Sequence, residues 1–244
     1  MKKLLTYSAV LATLCVASSQ VRATNLLGID VSSAQGSINW ASVHAAGVEF
    51  AFVQATEGNY FQDSGFKSYM VNGKAAGVRM GAAHFARPDV DTPSVEATYF
   101  WNFAGAYIKA DGKSISPAVE FEVFNGHVGE STYTAWFNAW AADVQAKTTN
   151  SLNPVIYVSA CGGACYLDNT ILLDGWIANY NGENLYTGTP WSSCTACNPW
   201  GSGVWDYWQV TDTGSIPGIS GNVDLDAFNG TLTGLKNKEG VGGK

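Results

Sequence analysis

Two glutamates separated by one residue lie inside an apolar segment of a chain that carries few charges. Glu120 and Glu122 occur in SPAVEFEVFNG, residues 116–126, although only 14% of all residues are charged. Because side chains alternate across a β-strand, residues i and i+2 lie on one face, about 6.5–7 Å apart. At that separation each carboxylate raises the pKa of the other, so one can stay protonated near neutral pH. Such a pair can supply the general acid for cleavage of a glycosidic bond.

Three further acids lie in or at the end of predicted strands. Asp30 is in LLGIDVS, Glu57 closes FVQATEG and Asp224 is in NVDLDAF. The carboxyl ends of barrel strands meet at one mouth, where catalytic groups collect. We therefore predict that these acids converge with the glutamate pair. The alternative is that Lys or Arg neutralises the pair in a purely structural role.

Other chemistries have little support in the sequence. The three histidines, His44, His84 and His127, have no metal-ligand spacing. There is no G-x-S-x-G nucleophile motif and no glycine-rich nucleotide-binding loop. We predict neither a bound metal nor a cofactor.

The elements that must position the acids are short apolar strands alternating with amphipathic helices. The predicted strands are Leu26–Val31, Phe50–Thr56, Arg79–Phe85, Ala118–Val123, Pro154–Ser159, Gly175–Ala178, Val204–Gln209 and Val223–Phe228. The predicted helices are Asn39–Ala46, Phe66–Ala76, Pro93–Lys109 and Thr132–Thr149. Strand–helix alternation predicts a mostly parallel α/β sheet, and about eight strands favour an irregular, TIM-like (β/α) barrel in a single domain. An open doubly wound sheet is the alternative.

The N-terminal residues have the pattern of a secretory signal. Lys2 and Lys3 precede an apolar run from Leu4 to about Ala17, and Val21-Arg22-Ala23 is a small-residue cleavage pattern. We predict that residues 1–23 are removed near Ala23 and that the protein is extracellular or periplasmic. An uncleaved N-terminal anchor is the alternative. The barrel domain is then residues 24–233, followed by a flexible glycine- and lysine-rich tail at 234–244.

Charge and apolar content exclude several partners. Without Lys2, Lys3 and Arg22 the net charge falls from −7 to −10, and no basic cluster is left to bind nucleic acid. No second long apolar segment follows the N-terminal one, so a membrane-spanning protein is not expected. We expect a monomer.

Four cysteines remain beyond the predicted signal. An even number in a secreted chain predicts two disulfides, with the pairing left open among three possibilities. Their C-x3-C and C-x2-C spacings would also suit a four-thiolate zinc site, which is the alternative. The residues are Cys161, Cys165, Cys194 and Cys197.

Seven side chains at or near the predicted strand ends are candidates for substrate contacts. Aromatic rings at a cleft mouth can stack on sugar faces, although core packing must account for most aromatic residues. The candidates are Glu57, His84, Tyr157, Trp176, Tyr180, Trp208 and Gln209.

Eight segments, in order and over nearly the whole predicted mature chain, resemble glycoside hydrolase family 25, the Chalaropsis-type lysozymes. They are GIDVSSAQGSINW (28–40), FAFVQATEG (50–58), AAGVRMGAAHFARP (75–88), PAVEFEV (117–123), PVIYVS (154–159), GWIANY (175–180), WQV (208–210) and PGISGNVDLDAFNG (217–230). The resemblance implies an irregular β/α barrel and hydrolysis of the β-1,4 bond between N-acetylmuramic acid and N-acetylglucosamine in peptidoglycan.

The resemblance also implies roles for four acids. Glu122 matches the catalytic acid, and Glu120 matches the Asp of the D-x-E motif. With substrate assistance and retention of configuration, Glu120 would orient the acetamido group that attacks the anomeric carbon. Asp30 and Asp224 would bind sugar hydroxyls and tune the pKa of Glu122.

The chain departs from the family pattern at three positions. Its motif is E-x-E, Ala83 stands where Tyr is frequent, and Gln54 stands where Lys is frequent. Two other functions therefore stay open: a glycan-binding protein that keeps the barrel without catalysis, and a hydrolase of another N-acetylated polymer such as chitin.

Overall fold

One closed, mixed β-barrel organises the protein in a computed structural model that describes residues 25–124, 130–148, 153–194 and 197–238. The strand order is β1-β9-β8-β7-β6-β5-β4-β2-β3, and pairing of β1 with β2 closes an eight-stranded ring that leaves the short β3 outside. The predicted irregular barrel is confirmed. The strands of this described part are β1 (Leu26–Val31), β2 (Phe50–Glu57), β3 (Phe61–Gln62), β4 (Arg79–Phe85), β5 (Ala118–Phe121), β6 (Val155–Ser159), β7 (Asp174–Ala178), β8 (Tyr207–Gly214) and β9 (Val223–Phe228).

Helices cover the outer face of the barrel, mainly in the first half of the chain. They are α1 (Trp40–Ala45), α2 (Phe66–Ala76), α3 (Pro93–Ala104) and α4 (Glu130–Gln145), with 3-10 turns at Ser33–Gln35, Gly105–Tyr107 and Gly163–Tyr166. A fifth helix, α5 (Leu232–Lys236), packs instead against the interior cluster. After β6 the connections up to β9 contain only one 3-10 turn in the described residues. None of the helices described is long and apolar enough to cross a membrane.

Strands β1, β2 and β4 to β8 pair in parallel with one another. The short β3 pairs antiparallel with β2, and β9 runs antiparallel to both of its neighbours, β1 and β8. Only residues 215–222 join β8 to β9, which is too short for the crossover that a parallel pair needs. The strand predicted at 204–209 is also displaced, because β8 begins at Tyr207 and continues to Gly214.

Aromatic side chains fill the barrel interior. Phe52 stacks on Trp176 with ring centroids 4.4 Å apart, and Tyr207 meets both Phe50 and Phe52 edge to face. A Cβ added to Gly28 would lie 2.2 Å from the Phe50 ring, so the first strand needs glycine there. Alternate residues of the same strands face outward into a second apolar layer beneath the helices.

Two disulfides tie the connection after β6 to the connection between β7 and β8. Cys161 bonds Cys194, and Cys165 bonds Cys197, which confirms the two predicted bridges and excludes the zinc alternative. Two bridges that close loops of similar length therefore hold a region that has few regular elements of its own.

The C-terminal residues are packed as far as Lys238. Leu235 of α5 is fully buried in the interior cluster, and Lys238 forms ion pairs with Asp174 and Asp206. Part of the segment predicted to be a flexible tail, 234–238, thus lies against the barrel. Residues 239–244, and the predicted signal at 1–23, lie outside the described residues.

Candidate active site

A carboxyl-rich groove lies at the carboxyl ends of the parallel strands. It has two adjoining lobes of about 260 Å³ and 210 Å³. The same four acids line both lobes, so they stand where the lobes meet. These acids are Asp30, Glu120, Glu122 and Asp224.

Strand register brings the four acids together. Asp30 of β1 lies directly opposite Asp224 of β9, and Glu120 of β5 lies between Phe85 of β4 and Tyr157 of β6. The strand predicted to reach residue 123 ends at Phe121, so Glu122 is the first residue beyond it. Glu120 and Glu122 both face the groove, as the i, i+2 spacing predicted.

Phe121, between the two glutamates, faces the opposite way. Its ring packs against Tyr133 and Phe137 of α4, with centroids 4.7 Å away in each case. The strand is thus anchored on its outer face by an aromatic cluster, while its inner face presents the two carboxyls.

The electrostatics of the pair favour one retained proton. Burial, then Glu122 and Asp224, raise the pKa of the half-buried Glu120 carboxyl from 4.5 to about 8. Partial loss of hydration in the groove, then Asp224, raise the pKa of Glu122, whose side chain is more exposed. Without substrate, Glu120 therefore keeps its proton near neutral pH, although the assisting role requires the ionised carboxylate.

Gln209 joins Asp30 to two phenols. Its Nε2 donates to Asp30 Oδ2 at 2.7 Å, while its Oε1 accepts from Tyr157 Oη at 2.8 Å and Tyr180 Oη at 2.7 Å. A weaker contact of 3.4 Å joins Nε2 to Asp224 Oδ2. The predicted contacts Gln209, Tyr157 and Tyr180 therefore line the same lobe as the acids.

Trp176 lies deeper, at the floor of the smaller lobe, where it is almost fully buried. Its Nε1 donates to Asp226 Oδ1 at 2.8 Å. Asp226 is fully buried and was missed in the sequence, although VDLD has the same i, i+2 acidic spacing as EFE. Applying the alternation argument to that segment would have found it.

Two residues predicted as substrate contacts do not line the groove. His84 is fully buried on the outer side of β4, where Nδ1 bonds Thr56 Oγ1 at 2.7 Å and Nε2 bonds Glu96 Oε2 at 2.8 Å. Trp208 is also fully buried, and its Nε1 donates to the Asn179 carbonyl oxygen. Each residue neighbours a groove residue in sequence, so alternation along its strand turns it away from the groove.

Glu57 lies at the rim and lines neither lobe. Its carboxylate accepts from Arg87 Nη1 at 3.1 Å and from the Tyr60 hydroxyl. Arg87 is also bound by Asp89 through two hydrogen bonds. Glu57 therefore belongs to an ion-paired rim beside the groove, and its charge contributes to the raised pKa of Glu120.

The larger lobe has walls that the sequence did not single out as substrate contacts. A capping box, in which Ser32 N donates to Gln35 Oε1, shapes the turn after β1. Polar and apolar side chains from β1 to β4 complete that lobe. The lining residues other than the four acids are Val31, Ser32, Gln35, Phe52, Gln54, Ala83 and Phe85.

Known proteins share this architecture. The matching family model is Glycosyl hydrolases family 25, over residues 29–219. Lysozyme M1 of Streptomyces globisporus is 33% identical over 220 residues, covering 85% of this chain and 69% of that protein. An N,O-diacetylmuramidase of Arthroderma benhamiae is 25% identical over 232 residues, covering 90% of this chain and 89% of that protein.

A solved structure agrees with the sequence relatives. The bacterial lysozyme from Streptomyces coelicolor superposes with a TM-score of 0.74 at 30% identity, covering 88% of this chain and 97% of the other. The family model spans most of the barrel, and relatives and fold agree with the motifs identified in the sequence. The chain therefore belongs to glycosyl hydrolases family 25 and is a glycoside hydrolase.

Proposed function

We propose that this protein is a secreted lysozyme that hydrolyses the β-1,4 bond between N-acetylmuramic acid and N-acetylglucosamine in bacterial peptidoglycan. Family membership and lysozyme and muramidase relatives support the substrate class. The observation that carries the proposal is the placement of Glu120 and Glu122 on one side of a groove that two further acids share.

Glu122 acts as the general acid, and Glu120 assists the substrate's own acetamido group. An acetamido N–H that donates to Glu120 favours the ionised form of that carboxyl. The new negative charge on Glu120 then raises the pKa of the neighbouring Glu122, so the retained proton is favoured on Glu122. Substrate binding thereby moves the proton from the assisting group to the group that needs it.

The reaction then proceeds in two balanced steps. Glu122 gives its proton to the glycosidic oxygen as that bond breaks, while the acetamido oxygen bonds to the anomeric carbon with Glu120 accepting from the N–H. Glu122, now ionised, takes a proton from water as that water opens the cyclic intermediate. Both displacements invert the anomeric carbon, so the configuration is retained overall.

The remaining groove residues bind sugar. Asp30 and Asp224 accept from sugar hydroxyls, and the negative charge of Asp224 helps to keep Glu122 protonated. Tyr180 is half exposed beside the smaller lobe and offers a ring face for stacking. Tyr157 and Gln209 hold Asp30 in register through the amide network.

The test is release of muramic-acid reducing ends from purified peptidoglycan, with product masses measured. We expect the wild type to release them, Glu122→Gln to release none, and Glu120→Gln to lose most turnover while still co-sedimenting with peptidoglycan. Glu49→Gln is the matched control. Glu49 lies just before β2, at the opposite end of the barrel from the groove, where it pairs with Arg79.

Three results would contradict parts of the proposal. Co-sedimentation without any release of reducing ends by the wild type would indicate a glycan-binding protein. Activity confined to chitin oligomers would indicate another substrate. Near-normal turnover by Glu120→Gln would remove the assisting role while leaving Glu122 as the acid.

Secretion is part of the proposal and has its own test. Two disulfides suit an oxidising compartment outside the cytoplasm. We expect the protein from the culture supernatant to begin at or near Thr24 by N-terminal sequencing, and to elute as a monomer in size-exclusion chromatography. An intracellular protein that keeps Met1 would contradict the secretion proposal.

A further inference from the structure

Asp226 is a buried acid in the barrel that the proposed mechanism does not use. One of its oxygens, Oδ1, accepts from Trp176 Nε1 at 2.8 Å. The other, Oδ2, is buried and has no hydrogen-bond donor among the described residues. An unsatisfied buried carboxylate oxygen costs free energy, so this atom needs an explanation.

An acid on the neighbouring strand can satisfy Oδ2 if it carries a proton. In the register of β1 and β9, Asp30 lies opposite Asp224, and Asp226 lies opposite Gly28, two residues before Asp30, so alternation places all three carboxyls on the inner face of the barrel. The pKa of Asp30 responds to Asp226, and that of Asp226 responds to Asp30. An ionised carboxylate can only accept hydrogen bonds, so two carboxyls form a hydrogen bond only when one carries a proton. Contact between these two groups therefore requires a proton between them.

The charges around the pair also favour that proton. Asp224 faces it from β9, Glu120 lies on β5, and Tyr157 and Tyr180 approach from β6 and the end of β7. None of these groups is a cation, and no described Lys, Arg or His forms an ion pair with either carboxyl. A retained proton takes the place of a positive partner.

We propose that Asp226 is a positioning residue, which shares one proton with Asp30 and so fixes Asp30 at the floor of the groove. Trp176 Nε1 donates a hydrogen bond to Asp226, and Gln209 Nε2 donates one to Asp30. Asp30 is then oriented by the shared proton and by the Gln209 amide. The catalytic part of this inference rests on the proposed function, whereas the shared proton does not.

Asp226→Asn is the informative variant, because it keeps the size and the net charge of the pair. The amide can donate to Asp30, which then stays ionised, and the pair still carries one negative charge. We expect kcat/KM on a soluble peptidoglycan fragment within about threefold of wild type at mildly acidic pH, and Asp226→Leu to lose about 10²-fold, mainly in kcat. The alkaline limb of the kcat/KM pH profile of Asp226→Asn should differ from that of the wild type.

A second readout does not depend on activity or on the fold of the leucine variant. The side-chain carboxyl ¹³C resonance of Asp30 is followed by NMR as a function of pH. In the wild type we expect two separate titration steps, because Asp30 and Asp226 share a proton. In Asp226→Asn we expect the step that Asp226 causes to disappear and Asp30 to titrate at lower pH. In the control Asp212→Asn, which removes a nearby exposed acid of β8, both steps should remain.

The outcomes separate this proposal from the proposed function. An unchanged Asp30 titration in Asp226→Asn overturns the shared proton, whatever the enzyme does. A changed titration in a protein that releases no reducing ends keeps the shared proton and refutes the lysozyme activity. An active, normally folded Asp226→Leu with wild-type kcat shows that the position serves stability alone and overturns the positioning role.

Discussion

Replacing Glu120 by glutamine should make the protein more stable at higher pH, although it removes a group needed for turnover. The folded state raises the pKa of Glu120 from 4.5 to about 8, mainly because the carboxyl is buried. A raised pKa means that the stabilising effect of the bound proton is complete below pH 4.5 and is lost as the pH rises through about 8. The glutamine amide of the Glu120→Gln variant has no proton to lose, so its contribution does not change over this interval.

The size of the effect follows from the same interval. Each pH unit between the unfolded and folded pKa values changes the free energy of unfolding by about 1.4 kcal/mol, so the full span corresponds to about 5 kcal/mol. Partial exposure of Glu120 and simultaneous titration of its acidic neighbours reduce this, and we expect about 2–3 kcal/mol. Glu120→Gln should therefore equal the wild type in stability near pH 4 and exceed it by this amount near pH 8.

Urea unfolding at several pH values, with the disulfides intact, measures the difference directly. Asp143→Asn removes one carboxylate from the outer helix α4 and shows the effect of net charge alone. We expect its stability difference from the wild type to change little with pH. If the difference between Glu120→Gln and the wild type is constant with pH, or decreases as pH rises, the buried protonated glutamate is refuted.

Three further predictions concern the scaffold. Removing both disulfides, whose cysteines lie 33 and 32 residues apart, should lower the free energy of unfolding by about 4 kcal/mol. Removing only one should lower it far less, because the other closes nearly the same loop. Guanidinium unfolding of the Cys→Ser double and quadruple variants measures both effects. Leu235→Ala should cost about 2–5 kcal/mol in the same assay, since the side chain is fully buried in the barrel interior. Glu96→Ala should lower the free energy of unfolding by about 2–4 kcal/mol, because His84 Nε2 and the Arg87 backbone N–H lose their acceptor. Its KM should equal that of the wild type. A raised KM would instead support His84 as a substrate contact.

The barrel was predictable because its strands are short, apolar and separated by helices or turns. Strands such as Leu26–Val31 and Arg79–Phe85 have the predicted bounds, since glycine, proline or polar residues flank apolar runs there. Errors fall where the local sequence does not determine pairing. Val204 lies in an apolar-aromatic run, but it is exposed before β8, and the antiparallel direction of β9 depends on a connection length rather than on a residue pattern.

The groove was predictable to the extent that it follows from alternation along strands. Glu120 and Glu122 were placed on one face by their spacing, and Tyr157 and Gln209 by their positions at strand ends. Proximity to a strand end alone was insufficient for His84, which faces the helices. Pairings between distant residues, including both disulfide partners, require the closed barrel and cannot be obtained from spacing.

Retained protons, and not basic side chains, offset the negative charge of the groove. None of the residues that line the two lobes is basic. Five carboxyls near one another therefore cannot all ionise, and the raised pKa values distribute the retained protons among them. These acids are Asp30, Glu120, Glu122, Asp224 and Asp226. The charge state that keeps the groove stable is also the one that supplies an acid to the substrate, so stability and activity should both decline as the pH rises above neutrality.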